Sequence, residues 1–106
     1  MSDILKIGRY QLENLVGQGV RFLFVDLRSE EERSAWTDPL LAKAMPLSLS
    51  ELQSNLTSNG VSPDAAIVLL SQDDTDAHTA SLELEANGFK NVYIIRDGVN
   101  GLRVTE

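Results

Sequence analysis

The sequence predicts an α/β fold: a five-stranded parallel sheet flanked by helices on both faces. Two observations carry this. Short, continuous apolar runs recur along the chain, as in strands buried on both faces, and amphipathic helical patterns with start and stop signals separate them. The strongest strand candidates are Phe22-Leu23-Phe24-Val25, Ala65-Ala66-Ile67-Val68-Leu69-Leu70 and Val92-Tyr93-Ile94-Ile95. Ile4 to Ile7 and Ala44 to Leu47 are weaker candidates.

The helices fit between these runs. Leu12, Leu15 and Val16 form a stripe at helical spacing, and Gly17 and Gly19 mark its end. Ser29-Glu30-Glu31-Glu32 and Ser48-Leu49-Ser50-Glu51 both have the Ser-x-x-Glu form of a capping box. After the second, Leu49, Leu52 and Leu56 line one face until Asn59-Gly60. The longest helix is expected from about Thr75 to Asn87, with Ala77, Ala80 and Leu84 on one side. Gly88 then suits the left-handed position, and Phe89 the hydrophobic contact that often follows it.

At 106 residues the chain suits one domain spanning 1–106. Its formal net charge of -7 argues against nucleic acid and anionic membrane surfaces as partners, since no Lys/Arg stripe offsets it. No apolar stretch reaches transmembrane length and the first residues do not read as a signal peptide, so cytoplasmic residence is the expectation. There is no cysteine, hence no disulfide, no thiolate nucleophile and no Cys-based metal site. Nothing in the sequence calls for a cofactor.

In open α/β sheets, ligands bind at the carboxyl ends of the strands. Three segments qualify: Asp26-Leu27-Arg28; Ser71-Gln72-Asp73-Asp74-Thr75-Asp76, which leads into the long helix; and Arg96-Asp97-Gly98.

The order FVDLRSEEE, AKAMPLSLSEL, AIVLLS before a helix, then GFKNVYIIRDGVNGL resembles a rhodanese domain over roughly Leu5 to Val104. The resemblance implies that family's fold, a five-stranded parallel sheet flanked by helices. It also implies that Ser71 stands where the family has its catalytic cysteine, at the start of a loop whose inward N–H groups and helix dipole form an anion site. A serine cannot become a persulfide, and without a general base it does not ionise at neutral pH. Where the family loop carries Gly and Arg, this one carries three carboxylates. The stretch that resembles the family's Gly-His-Ile-Pro-Gly segment reads Thr37-Asp38-Pro39-Leu40-Leu41.

Each candidate has a bland and a sharp reading. Asp73, Asp74 and Asp76 suit the first turn of a helix, which favours the bland reading; Asp-x-Asp spacing also suits a hard cation, though no distal Glu completes a calcium loop. Ser71 is either a small polar replacement or a hydrolase nucleophile served by His78, the single histidine. Asp26 and Arg28 either pin a loop or persist as a relic of a pocket. Trp36 is either core or, if exposed, an interface anchor.

The leading expectation is a catalytically inactive rhodanese-like domain serving as an interaction or regulatory module. Its binding face would be the rim formed by Ser71–Asp76, Asp26 and Arg28, facing a basic or neutral protein. The alternatives are an enzyme, or a small-ligand or cation-binding domain, that uses the former rhodanese pocket without cysteine chemistry.

Overall fold

The computed structural model describes residues 5–102. Five strands, β1 (Leu5–Ile7), β2 (Leu23–Asp26), β3 (Met45–Pro46), β4 (Ala66–Leu70) and β5 (Asn91–Ile95), form one sheet in the order β1-β5-β4-β2-β3. Every pairing is parallel. The helices are α1 (Arg9–Gly17), α2 (Glu30–Ala35), α3 (Leu49–Ser58), α4 (Asp74–Ala86) and a single turn, α5 (Val99–Leu102). The expected five-stranded α/β architecture is therefore the one formed. Strand and helix bounds fall within a residue or so of those read from the apolar runs. Ile4 and Val104, at the ends of the expected segments, lie outside the described residues.

Alternation along the strands feeds two cores. Val25, Ile67, Leu69 and Ile94 face Leu52 and Leu56 of α3 and Ala77, Ala80 and Leu84 of α4. Phe24, Val68, Leu70 and Ile95 face Leu12 of α1, Leu41, and Val99 and Leu102 of α5. The central strand β4 supplies both sets from consecutive residues, so Ile67 to Leu70 are wholly buried. No helix of the described residues is long and apolar enough to cross a membrane.

Both Ser-x-x-Glu boxes close as expected: the Ser29 and Ser48 hydroxyls accept from the N–H groups of Glu32 and Glu51, whose carboxylates accept from the serine N–H groups. At the end of α4, Gly88 adopts φ 95°. Phe89 N–H then donates to Leu84 O and Gly88 N–H to Glu85 O, and the Phe89 ring is buried. Helices α1 and α3 end with the same pair of back-bonds at Gly19-Val20 and Gly60-Val61. Gly17 belongs to α1 rather than following it, and a Cβ there would meet nothing within 4 Å.

One substitution at two glycines should therefore act in opposite directions. Gly17→Ala should stabilise by about 0.5–1 kcal/mol, since Ala loses less entropy in a helix. Gly88→Ala should destabilise by about 1–2 kcal/mol, since a Cβ strains the left-handed conformation. Urea unfolding curves of the two variants check the signs.

Candidate functional site

The carboxyl ends of β2, β4 and β5 converge at one edge of the sheet and bring the three expected segments together. Ser71 follows β4 and is 2% exposed. Its hydroxyl donates to the Asp73 carbonyl and accepts from Ala77 N–H at 3.2 Å. It is a bracket between the loop and the first turn of α4. The loop itself is only three residues long, because α4 begins at Asp74, one residue before the expected start.

The acidic residues divide by role. Asp73 caps α4, accepting from Thr75 N–H at 2.9 Å. Asp74 pairs with Lys6 Nζ at 3.1 Å and accepts from Asp97 N–H. The Lys6 ammonium, helped by that N–H, holds the Asp74 carboxyl below the usual carboxylate range. Asp76, Gln72 and Thr75 are exposed. No group of three His, Asp or Glu side chains among the described residues is arranged to hold a metal ion. His78 is exposed, and the Ser71 proton goes to a backbone carbonyl, so no Ser-His pair forms.

The turn after β5 closes the edge from above. Asp97 sits at φ 61° and Gly98 at φ 59°. Val99 N–H donates to both Ser71 O and Gln72 O, at 3.2 and 3.1 Å. A Cβ on Gly98 would lie 2.4 Å from Ser71 O, and one on Gly101 would lie 1.8 Å from Arg96 O. Backbone thus packs on backbone where a pocket would open.

Asp26 and Arg28 form a buried, forked ion pair: Arg28 Nη2 meets Asp26 Oδ2 at 2.8 Å and Nε meets Oδ1 at 3.0 Å. The Asp26 carboxylate also accepts from Arg28 N–H, and Arg28 Nη1 donates to Trp36 O at 2.8 Å. The pair fastens the end of β2 to the far end of α2. Trp36 is half-buried against the core around Leu12 and Leu41, which is the core role. Ser71, Asp26 and Arg28 are therefore brought into the expected neighbourhood but lie beneath its surface.

A contact network that the sequence reading missed sits beside this edge. Arg9, at the start of α1, bonds Asp38 at 2.9 Å, Glu13 at 3.0 Å and the carbonyl of Leu102 at 2.7 Å. It joins α1, α5 and the short 3₁₀ turn Pro39–Leu41. Burial alone would raise the Asp38 carboxyl, but the Arg9 guanidinium and Leu40 N–H together hold it below its ordinary value.

Two predictions follow from these pairings. Asp26→Ala should cost about 3–5 kcal/mol, since it strands a buried guanidinium, and Asp26→Leu/Arg28→Met should recover much of that loss in urea unfolding. Asp38 and Asp74 favour their charged forms in the fold. Their contribution is full above the ordinary carboxylate value of about 4 and fades as pH falls through their lowered values. Arg9→Met and Lys6→Met should each flatten the acid limb of stability plotted against pH.

No family model matches the sequence, and no curated protein matches it. Solved structures do. A rhodanese-like domain protein from Staphylococcus aureus superposes with a TM-score of 0.77 at 19% identity, over 94% of this chain and 92% of that one. The polysulfide-sulfur transferase homodimer from Wolinella succinogenes matches at 0.74 and 20% identity, over 92% and 72%. A thiosulfate sulfurtransferase from Pseudomonas aeruginosa matches at 0.76 and 21% identity, over 92% of this chain and 18% of that one. At these identities the likeness is one of architecture: the chain has the rhodanese-like fold, and it has no cysteine.

Proposed function

We propose that this chain is a catalytically inactive rhodanese-like domain that works as a protein-interaction or regulatory module. The observation that carries this reading is the state of Ser71. The residue at the nucleophile position is buried, donates its proton to the Asp73 carbonyl, and accepts from the first turn of α4. A hydroxyl held in that way has its proton on a main-chain carbonyl and a lone pair on a main-chain N–H, and no side-chain base among the described residues bonds it.

The electrostatics agree with this. Lys6 compensates Asp74, whereas Asp73 and Asp76 form no ion pair with a described residue. A thiosulfate or phosphate ion approaching the edge meets their charge rather than a cradle of donors. The edge suits a basic or neutral protein better. Gln72, Asp73, Thr75 and Asp76 would make the contact, with Asp74 at the border. Ser71, Asp26 and Arg28 would hold that rim from beneath. The proposed domain spans the whole chain, and cytoplasmic residence fits its charge and composition.

The test is turnover. Wild type and Ser71→Cys should both be silent with thiosulfate and cyanide, because a thiol at position 71 would be buried under the turn after β5 and flanked by carboxylates. Both should also be silent with p-nitrophenyl phosphate and p-nitrophenyl acetate. Turnover by wild type that is lost in Ser71→Ala would overturn the proposal in favour of an enzyme. Sulfur transfer restored in Ser71→Cys would show an intact anion pocket and would move the reading toward retention of an anionic ligand.

A further inference from the structure

The opposite edge of the sheet carries a feature that the proposed function leaves unused. At the amino ends of β2 and β4 lies a cavity of about 660 Å³. Val16, Val20, Phe22 and Leu40 supply apolar wall, and Arg21 and Lys43 flank it. Val16 and Val20 are 44% and 42% exposed, although both belong to the apolar set of the chain.

The two cations are exposed and keep no carboxylate partner among the described residues. Lys6, Arg9, Arg28 and Lys90 are ion-paired, and Arg33 donates to the Arg28 carbonyl. Arg21, Lys43 and, at the far edge, Arg96 have no such partner among the described residues. Two of these three sit beside one apolar cavity.

Volume and lining match sites for small molecules, which are mostly apolar with a few converging polar groups at roughly 300–1,000 Å³. We infer that this cavity binds a small amphipathic anion: an apolar chain or ring seated on Val16, Val20, Phe22 and Leu40, with a carboxylate or similar head held by Arg21 and Lys43. Charge complementarity selects this occupant. A purely apolar ligand would leave both cations without a counterion, and a cationic one would be repelled. A second copy of this chain would have to offer one of its own carboxylates. The inference is independent of what happens at Ser71, because the two features lie at opposite ends of the strands.

Octanoate is the probe, and amide and methyl NMR spectra of the full chain are the readout. Octanoate should bind saturably at one equivalent and shift the resonances of Val16, Val20, Phe22 and Leu40. Octanol and octylamine should bind at least about tenfold more weakly, the size expected when a hydrogen bond to a charged group is lost. Arg21→Glu/Lys43→Glu changes two exposed side chains, so the fold should persist, and it should weaken octanoate by a similar factor. Lys90→Glu, which reverses an exposed charge elsewhere, should leave binding within about twofold. Binding that survives the double charge reversal, or shifts scattered over the surface, would overturn the inference. So would concentration-dependent dimerisation through Val16, Val20 and Leu40 with no octanoate binding, which would assign the face to a second copy.

Discussion

The carboxyl edge of this domain depends on one backbone contact, in which the turn after β5 lies directly on the loop after β4. Val99 N–H bridges the carbonyls of Ser71 and Gln72, and the approach is so close that no side chain fits at position 98. Two positive-φ residues in succession, Asp97 and Gly98, bend the chain into it. The consequence is steric before it is electrostatic. Buried carbonyls that would otherwise need water are satisfied by protein, and the space above the central strand is filled by main chain. The Lys6–Asp74 pair then ties β1 and the Asp97 amide to the same helix start, so four elements meet at one point.

The Asp26–Arg28 pair does for β2 what this contact does for β4. A buried ion pair is a poor source of net stability, because desolvation offsets most of the Coulomb gain. Its value here lies in direction. The guanidinium fork matches one carboxylate on one side and reaches the Trp36 carbonyl on the other, so α2 can leave β2 at only one angle. Arg9 plays the same part across α1, α5 and the Pro39–Leu41 turn. Three of the chain's cations are thus spent on fixing how connections leave the sheet.

Most of the scaffold was legible in the sequence because its signals are local. Apolar runs gave strands, Ser-x-x-Glu gave helix starts, and Gly88-Phe89 gave a helix end with its contact. That the chain has no thiolate nucleophile was legible too, since a cysteine count needs no coordinates. The misses share a cause. Lys6–Asp74 and Arg9–Asp38 join residues far apart in the chain, and no spacing rule connects them. The turn α5 is too short for helical periodicity to register. Asp26 and Arg28 were placed on a binding rim because they end a strand. Only the packing of α2 over them shows that they are buried, and that Trp36 contributes its carbonyl as well as its ring.

The acidic loop answers the start of α4 from within the chain. The first turn of α4 presents N–H donors and a positive dipole end, a disposition that attracts anions. In this chain Asp73 takes Thr75 N–H, the Ser71 hydroxyl takes Ala77 N–H, and the Asp74 and Asp76 charges stand beside the remaining turn. Two of the donors that would meet an external anion, Thr75 N–H and Ala77 N–H, are met from within, at no cost in translational entropy. A thiol at position 71 would forgo the hydroxyl's bonds to the Asp73 carbonyl and from Ala77 N–H, but it would leave the Asp73 cap on Thr75 N–H in place. The start of α4 is thus held by the whole loop rather than by one atom: Ser71 ties the loop to the first turn, Asp73 caps it, and Asp74 reaches across to Lys6.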